Sequence, residues 1–226
     1  MSSTENTHVI AIDGPSGVGK GTLAQYLMEA TGFHLLDSGA IYRALAYGAV
    51  HNQIALDDVE KLTALAKVLP VSFKATNIIY EGTDVTAKVR TEEVAAVASK
   101  VAPIPEVRAA LLQRQKDFAQ MPGLIADGRD MGTVVFPSAT VKLFLTASAE
   151  VRADRRVKQL KNQGIDANIA QITQDIRERD ERDANRKTAP LKPAEDAIII
   201  DTSDLDIEAV CTQALSILNK KGVLKP

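Results

Sequence analysis

The sequence predicts an α/β fold: a parallel β-sheet core flanked by helices, interrupted by a small antiparallel-sheet insert. Three observations predict it. Five short runs, HVIAID (8–13), FHLLD (33–37), GLIAD (123–127), VKLFLTAS (141–148) and AIIIDTS (197–203), are almost continuously apolar, as strands buried on both faces must be. Stretches with helical character separate them, including GTLAQYLMEATG (21–32), AEVRADRRVKQL (149–160) and DIEAVCTQALSILNKKG (206–222), and regular strand–helix alternation gives a parallel sheet. Residues 71–91 instead alternate apolar and polar, with Asn77 and EGTD as turns, which suits an antiparallel sheet with one solvated face.

The first run leads into GPSGVGKGT, residues 14–22. Gly14, Gly19 and Lys20 match the spacing of a phosphate-cradling loop, with Pro15, Ser16, Gly17 and Val18 between them. The context also fits: a strand over 9–13, then a helix over 20–30 closed by Gly32. Glycines let successive backbone N–H groups turn toward an anion, and the helix N-terminus adds about half a positive charge. Lys20 is placed to reach the terminal phosphates of a nucleotide. One feature departs from the pattern. The position after Lys20, normally a Ser or Thr that binds Mg²⁺, is Gly21, and the hydroxyl follows at Thr22.

Beyond the second strand, a helix starting near Ser38 would offer its N-terminus to another anion, and Arg43 carries a planar fork suited to phosphate oxygens. A Ser N-cap and a surface Arg would look the same. In the insert, TEEVAAVASKVA opens a helix capped by Thr91, and a second helix begins near Pro105. Composition alone makes Ser99 and Arg108 ordinary surface residues. The third core strand ends in DGRDMG, which puts Asp127, Arg129 and Asp130 at a strand's mouth. Three charges there want polar partners, either a ligand or an internal Arg–Asp bridge. The charge run RERDERDANR (177–186) sets Arg179, Asp183 and Arg186 at i, i+4 and i+7 on one helical face, with Glu178 and Arg182 pairing beside them.

Composition narrows the classes. The chain has 226 residues, a net charge of −2 and a single Cys, Cys211. The charge argues against a nucleic-acid backbone binder, and one Cys permits no internal disulfide, as suits a reducing compartment. No signal peptide and no apolar run near the roughly 20 residues of a membrane span can be read, so a cytoplasmic protein is expected. His8, His34 and His51 are scattered without metal-ligand spacing.

The GKGT ending resembles the nucleoside-monophosphate kinases, in which the metal is held largely through phosphates and water. LLDSGAIYRALA (35–46), GLIADGRDMGTVVFP (123–137), RERDERDANR (177–186) and APLKPAEDA (189–197) resemble the bacterial cytidylate kinases, and the likeness runs from about Val9 to the last helix. The resemblance implies a P-loop kinase fold: a core of 8–62, 121–151 and 189–226, an insert over about 63–120 that binds the acceptor base, and a helical lid over about 152–188. It implies transfer of the γ-phosphoryl of ATP to CMP or dCMP with Mg²⁺, in a monomer that needs no nucleic acid or membrane. Gly14 to Thr22 would hold ATP, with Arg156 a further donor-side candidate, and Lys20, Arg129, Arg179 and Arg186 would carry catalysis. The acceptor would meet Ser38, Arg43, Ser99, Arg108, Arg129, Asp130, Arg179, Asp183 and Arg186, with Ser99, Arg108 and Asp130 reading the base. Asp127 would face the Mg²⁺ water shell. A kinase for another small acceptor is the alternative within the class. A nucleotide-dependent switch is the alternative outside it, although NKKG at 219–222 lacks the Asp and the placement that a guanine-reading motif needs.

Overall fold

The computed structural model describes residues 7–74, 77–162 and 164–224. In chain order the elements are β1 (His8–Asp13), α1 (Lys20–Thr31), β2 (His34–Asp37), α2 (Ser38–His51), α3 (Val59–Val68), β3 (Val71–Lys74), β4 (Asn77–Tyr80), β5 (Thr83–Asp84), α4 (Thr86–Val89), α5 (Glu92–Val101) and α6 (Pro105–Lys116). There follow β6 (Gly123–Asp127), a π-helical turn (Met131–Val135), β7 (Val141–Thr146), α7 (Ala149–Asn162), α8 (Ile169–Ala184), β8 (Ile198–Asp201) and α9 (Ile207–Lys220). They form two compact units: the described residues of Met1–Leu36 and Phe118–Pro226, and those of Asp37–Asp117. The stretch 37–62, read from sequence as core, thus falls in the second unit.

The first unit holds the five-stranded sheet, in the order β2-β6-β1-β7-β8. β1 lies in the middle. It runs parallel to β6 from His8↔Gly123 to Ile12↔Asp127, and to β7 from Ile10↔Val141 to Asp13↔Phe144. This register sets the carboxyl ends of β1 and β6 side by side, and so the phosphate loop beside DGRDMG. The inner strands β1, β6 and β7 are largely buried on both faces, with Ile10, Ile12, Leu124 and Ile125 fully buried, whereas the edge strands β2 and β8 expose residues such as His34 and Ile199. One core cluster joins Ile10, Ile12 and Ile125 to Leu23, Ala24 and Leu27 of α1 and to Val210, Cys211, Ala214 and Leu218 of α9. These positions recur at three- and four-residue steps, as a helix with one buried face requires. Each such Leu or Ile contributes about 1.5–3 kcal/mol by leaving water. α1 ends where the sequence predicts. Gly32 takes the left-handed conformation and returns its N–H to Met28 O at 2.8 Å.

The second unit holds the antiparallel sheet β3-β4-β5 and five helices. Asn77 is the first residue of β4 and pairs with Lys74, so it is not a turn residue; the tight turn falls at Glu81 and Gly82, both with positive φ. α2 is capped by Asp37, whose carboxylate accepts from Ala40 N at 2.9 Å, and not by Ser38. Thr91 caps α5 and Pro105 opens α6, as expected.

Candidate active site

The phosphate loop spans 14–19 between β1 and α1. Gly14, Gly17 and Gly19 all have positive φ, and a side chain on Gly14 would run into the carbonyl oxygen of Leu145. α1 has no side-chain cap at its N-terminus, where Gly19 stands. Among the described residues no N-cap side chain serves the orphan N–H groups of that first turn, the arrangement that suits an anion. Lys20 is buried and folds its Nζ back onto Pro15 O at 2.8 Å, 4.0 Å from Asp127 Oδ1. Burial, followed by the positive charge of Arg129, pulls its pKa down to about 7; Asp127 and Asp13 push the other way, and Arg179 adds to the lowering.

This low value has a consequence. Phosphates near Nζ would favour the charged form and restore the pKa toward its ordinary range. Below pH 7 Lys20 is charged with or without a nucleotide. Above pH 7 the free protein loses the proton and binding must take one up, so ADP affinity should fall as pH rises from about 7.5 to 9. Calorimetry of ADP binding at pH 8.5, in buffers of different ionisation enthalpy, should find uptake approaching one proton. Lys20→Arg, always charged, should show none. Equal uptake in both proteins would refute the assignment to Lys20.

At the carboxyl end of β6, Asp127 is partly buried and Arg129 follows it. Arg129 Nε donates to Asp183 Oδ2 at 3.2 Å, and Arg186 Nη2 donates to Asp183 Oδ1. Asp183 lies on α8 and is only 1% exposed, so two guanidinium groups compensate one buried carboxylate. α8 ends at Ala184, so Arg186 reaches Asp183 from just beyond the helix and does not continue its face to i+7. Glu178 and Arg182 do form the expected, exposed pair at 4.0 Å. Lys20, Asp127, Arg129, Arg179, Asp183 and Arg186 are thus linked by ion pairs or electrostatics in one unit. Asp130 is buried beside them, whereas Arg156 lies on α7 and donates to Gln159.

The remaining acceptor candidates belong to the second unit. The Ser38 hydroxyl donates to Gln115 Oε1 at 2.6 Å, and Arg43 Nη1 reaches Val89 O at 3.5 Å. Arg108 is buried on α6 and donates to Ala102 O at 3.3 Å. The Ser99 hydroxyl is buried on α5 with no hydrogen-bond partner. A buried hydroxyl without a partner is uncommon enough to want an explanation.

The cytidylate kinase family model matches residues 10–220. A cytidylate kinase of Colwellia psychrerythraea (strain 34H) is 58% identical over 96% of this chain and 98% of its own length. One of Shewanella pealeana is 54% identical over 96% and 97%. The chain belongs to the cytidylate kinase family. The crystal structure of a gluconokinase from Sinorhizobium meliloti shares the fold, with a TM-score of 0.50 at 15% identity over 95% of this chain and 93% of that one.

Two residues of this chain were not singled out by sequence. Arg152 on α7 is 3% exposed. Its guanidinium donates to Ala147 O and Ser148 O, to Ser16 O of the phosphate loop at 3.2 Å, and to both carboxylate oxygens of Asp180 on α8. It therefore ties the loop to the α7–α8 pair. Arg152 opens the run RADRR (152–156), in which four residues are charged, and nothing in that run marks which one turns inward. The second is Asp13, visible from sequence only as the acidic end of β1. Its carboxylate accepts from Met131 N and Gly132 N at 2.8 and 2.7 Å.

Proposed function

We propose that this chain moves the γ-phosphoryl group of ATP to CMP or dCMP in the cytoplasm, giving ADP and CDP or dCDP. The observation that carries it is the set of cations Lys20, Arg129 and Arg186, paired with Asp127 and Asp183, with Arg179 near enough to lower the Lys20 pKa, beside an uncapped glycine loop. In phosphoryl transfer a protein chiefly positions the two substrates and stabilises the charge of the moving group. Direct in-line transfer needs no protein nucleophile. The loop N–H groups and Lys20 hold the donor phosphates, with Arg156 a further donor contact. Arg129, Arg179 and Arg186 face the transferring group and the acceptor phosphate, with Asp183 orienting them. Ser38 and Arg43 serve the acceptor, and Asp130, Ser99 and Arg108 serve its base. An exocyclic amine would give the Ser99 hydroxyl the partner it has not found in the protein.

Magnesium fits this site through a small protein contribution. Among the described residues no group of three or more His, Cys, Asp or Glu could hold a metal, as suits an ion bound mainly by phosphates and water. The Thr22 hydroxyl and the Asp127 carboxylate are the protein oxygens that fit. Asp13 does not, because both its oxygens are taken by backbone amides. When bound, the ion neutralises charge on the donor phosphates.

Coupled detection of ADP with and without CMP is the test: turnover that appears only with CMP supports the reading, and CMP-independent hydrolysis would replace it with a switch or a hydrolase.

The α7–α8 pair is read as the lid, over about 152–188. Its helices pack on each other, and Arg152–Asp180 joins them. Gly164, in the connection after α7, has a positive φ. Closure over both substrates would exclude water from the transfer. Hydrogen exchange in this segment should slow when ADP and CMP are added together; equal protection with and without them would count against a lid.

A further inference from the structure

Arg129 and Asp130 hang between two anchors, and both anchors belong to the last two residues of β1. Before the pair, Gly128 N donates to Ile12 O at 3.0 Å, which carries the β1–β6 ladder one step past Asp127. After it, Met131 N and Gly132 N donate to the two oxygens of Asp13 at 2.8 and 2.7 Å. The residue following Asp13 is Gly14, whose φ of +146° and close approach to Leu145 leave the entry to the phosphate loop little room to shift.

We propose that Asp13 is a positioning residue for the transfer reaction: its carboxylate sets the register of Arg129 and Asp130 against the phosphate loop, and so of the acceptor-side charges against the donor. The proposal rests on the reading of these residues as the transfer site.

Several observations support it. The segment that Asp13 holds cannot hold itself well. Its Val135 N→Asp130 O and Phe136 N→Met131 O bonds span five residues, a π geometry that is rare as regular structure and frequent at functional sites. A neutral side chain could satisfy one amide. The carboxylate satisfies two adjacent ones, which fixes orientation as well as distance. Its charge is retained at a cost, since Asp13 is 5% exposed and unpaired buried charges are expensive. Burial lifts its pKa to about 6, the Gly132 and Met131 amides draw it back, and of the charged neighbours Asp130 raises it and Lys20 lowers it. Gly132 adds to the constraint: a Cβ there would press on the Lys142 side chain at 3.1 Å and on the Asp13 carboxylate at 3.4 Å.

Asp13→Asn tests the idea with little change of volume. Its amide can accept from one N–H but must face the other with an N–H of its own. In the full-length protein, kcat with CMP should fall about a hundredfold, the scale of a misplacement near 1 Å. ADP affinity by calorimetry should fall far less than kcat, because the Asp13 oxygens bond Met131 and Gly132 rather than the loop, and Asp13 bears on Lys20 only through its charge. Amide exchange at Met131 and Gly132 should quicken. A purely structural role would lower the melting temperature and leave kcat of the folded variant unchanged, which would overturn the proposal. So would a loss of ADP affinity in step with kcat, since the effect would then pass through the loop, or unchanged exchange at both amides. Should Asp13→Asn not fold, Asp13→Ser is to be read by the same three measurements. Wild-type protein without CMP-dependent turnover would sink the functional reading instead, and the exchange and ADP-binding measurements would then decide on Asp13.

Discussion

Lys20→Ala should slow phosphoryl transfer by a factor of hundreds in a protein that still folds. The Nζ group sits at the turn from phosphate loop to α1, bonded to Pro15 O and 4.0 Å from Asp127. A cation placed on the transferring phosphates is worth about 3 kcal/mol or more in the transition state. The fold has little to lose from its removal. Burial draws the Lys20 pKa down to about 7; a lowered lysine pKa means that the folded state disfavours the charge, so between pH 7 and the ordinary lysine range the unfolded chain binds more protons and this group's contribution to stability rises with pH. Near neutrality the charged amine opposes folding, and the Ala variant should melt no lower than wild type unless the vacated volume costs more. Such a separation of activity from stability marks a group kept for function. Steady-state kinetics and thermal melts in parallel are the check. A folded variant with near-normal turnover would sink the loop assignment.

What could be read from sequence divides along physical lines. All five core strands were legible: the inner three because a strand buried on both faces needs a nearly unbroken apolar run, and the edge strands β2 and β8 because their short runs stay apolar although some of their side chains are exposed. α1 was legible at both ends, through the glycine loop and Gly32. Asn77 was misread because a polar residue between two strands looks like a turn, whereas on a solvated sheet face it is an ordinary strand residue. Arg186 was placed on the α8 face because periodicity does not mark where a helix stops; nothing around Asn185 is a strong breaker. The pairing of Arg129 with Asp183 joins residues 54 apart in sequence, and no local pattern encodes a contact of that span. Arg152 and Asp13 were missed for the same reason: each acts through backbone groups of a distant segment, and a carbonyl or an amide has no letter in the sequence. The roles of Ser99 and Arg108 came from family resemblance alone, and the buried, unpartnered Ser99 hydroxyl is the independent observation now beside it.

CMP should be strongly preferred to UMP, and Asp130→Ala should erode that preference. Cytosine presents an amino donor at N4 and an acceptor at N3; uracil reverses both. Asp130 is buried at the carboxyl end of β6 and in the folded protein can only accept while ionised. Facing N4 it gains a hydrogen bond from cytosine, but it meets a carbonyl oxygen in uracil. A buried polar group left without its partner costs about 1–3 kcal/mol, so the ratio of kcat/KM for CMP over UMP should shrink about tenfold or more in Asp130→Ala. The loss should fall on CMP. Arg43 provides the control. It is assigned to the acceptor phosphate, which both substrates share, so Arg43→Ala should lower both kcat/KM values and leave their ratio nearly unchanged. The two variants differ in what they remove, a base contact or a phosphate contact, and only the ratio tells these apart. If wild type uses UMP as readily as CMP, or if Arg43→Ala moves the ratio as far as Asp130→Ala does, Asp130 does not read the base.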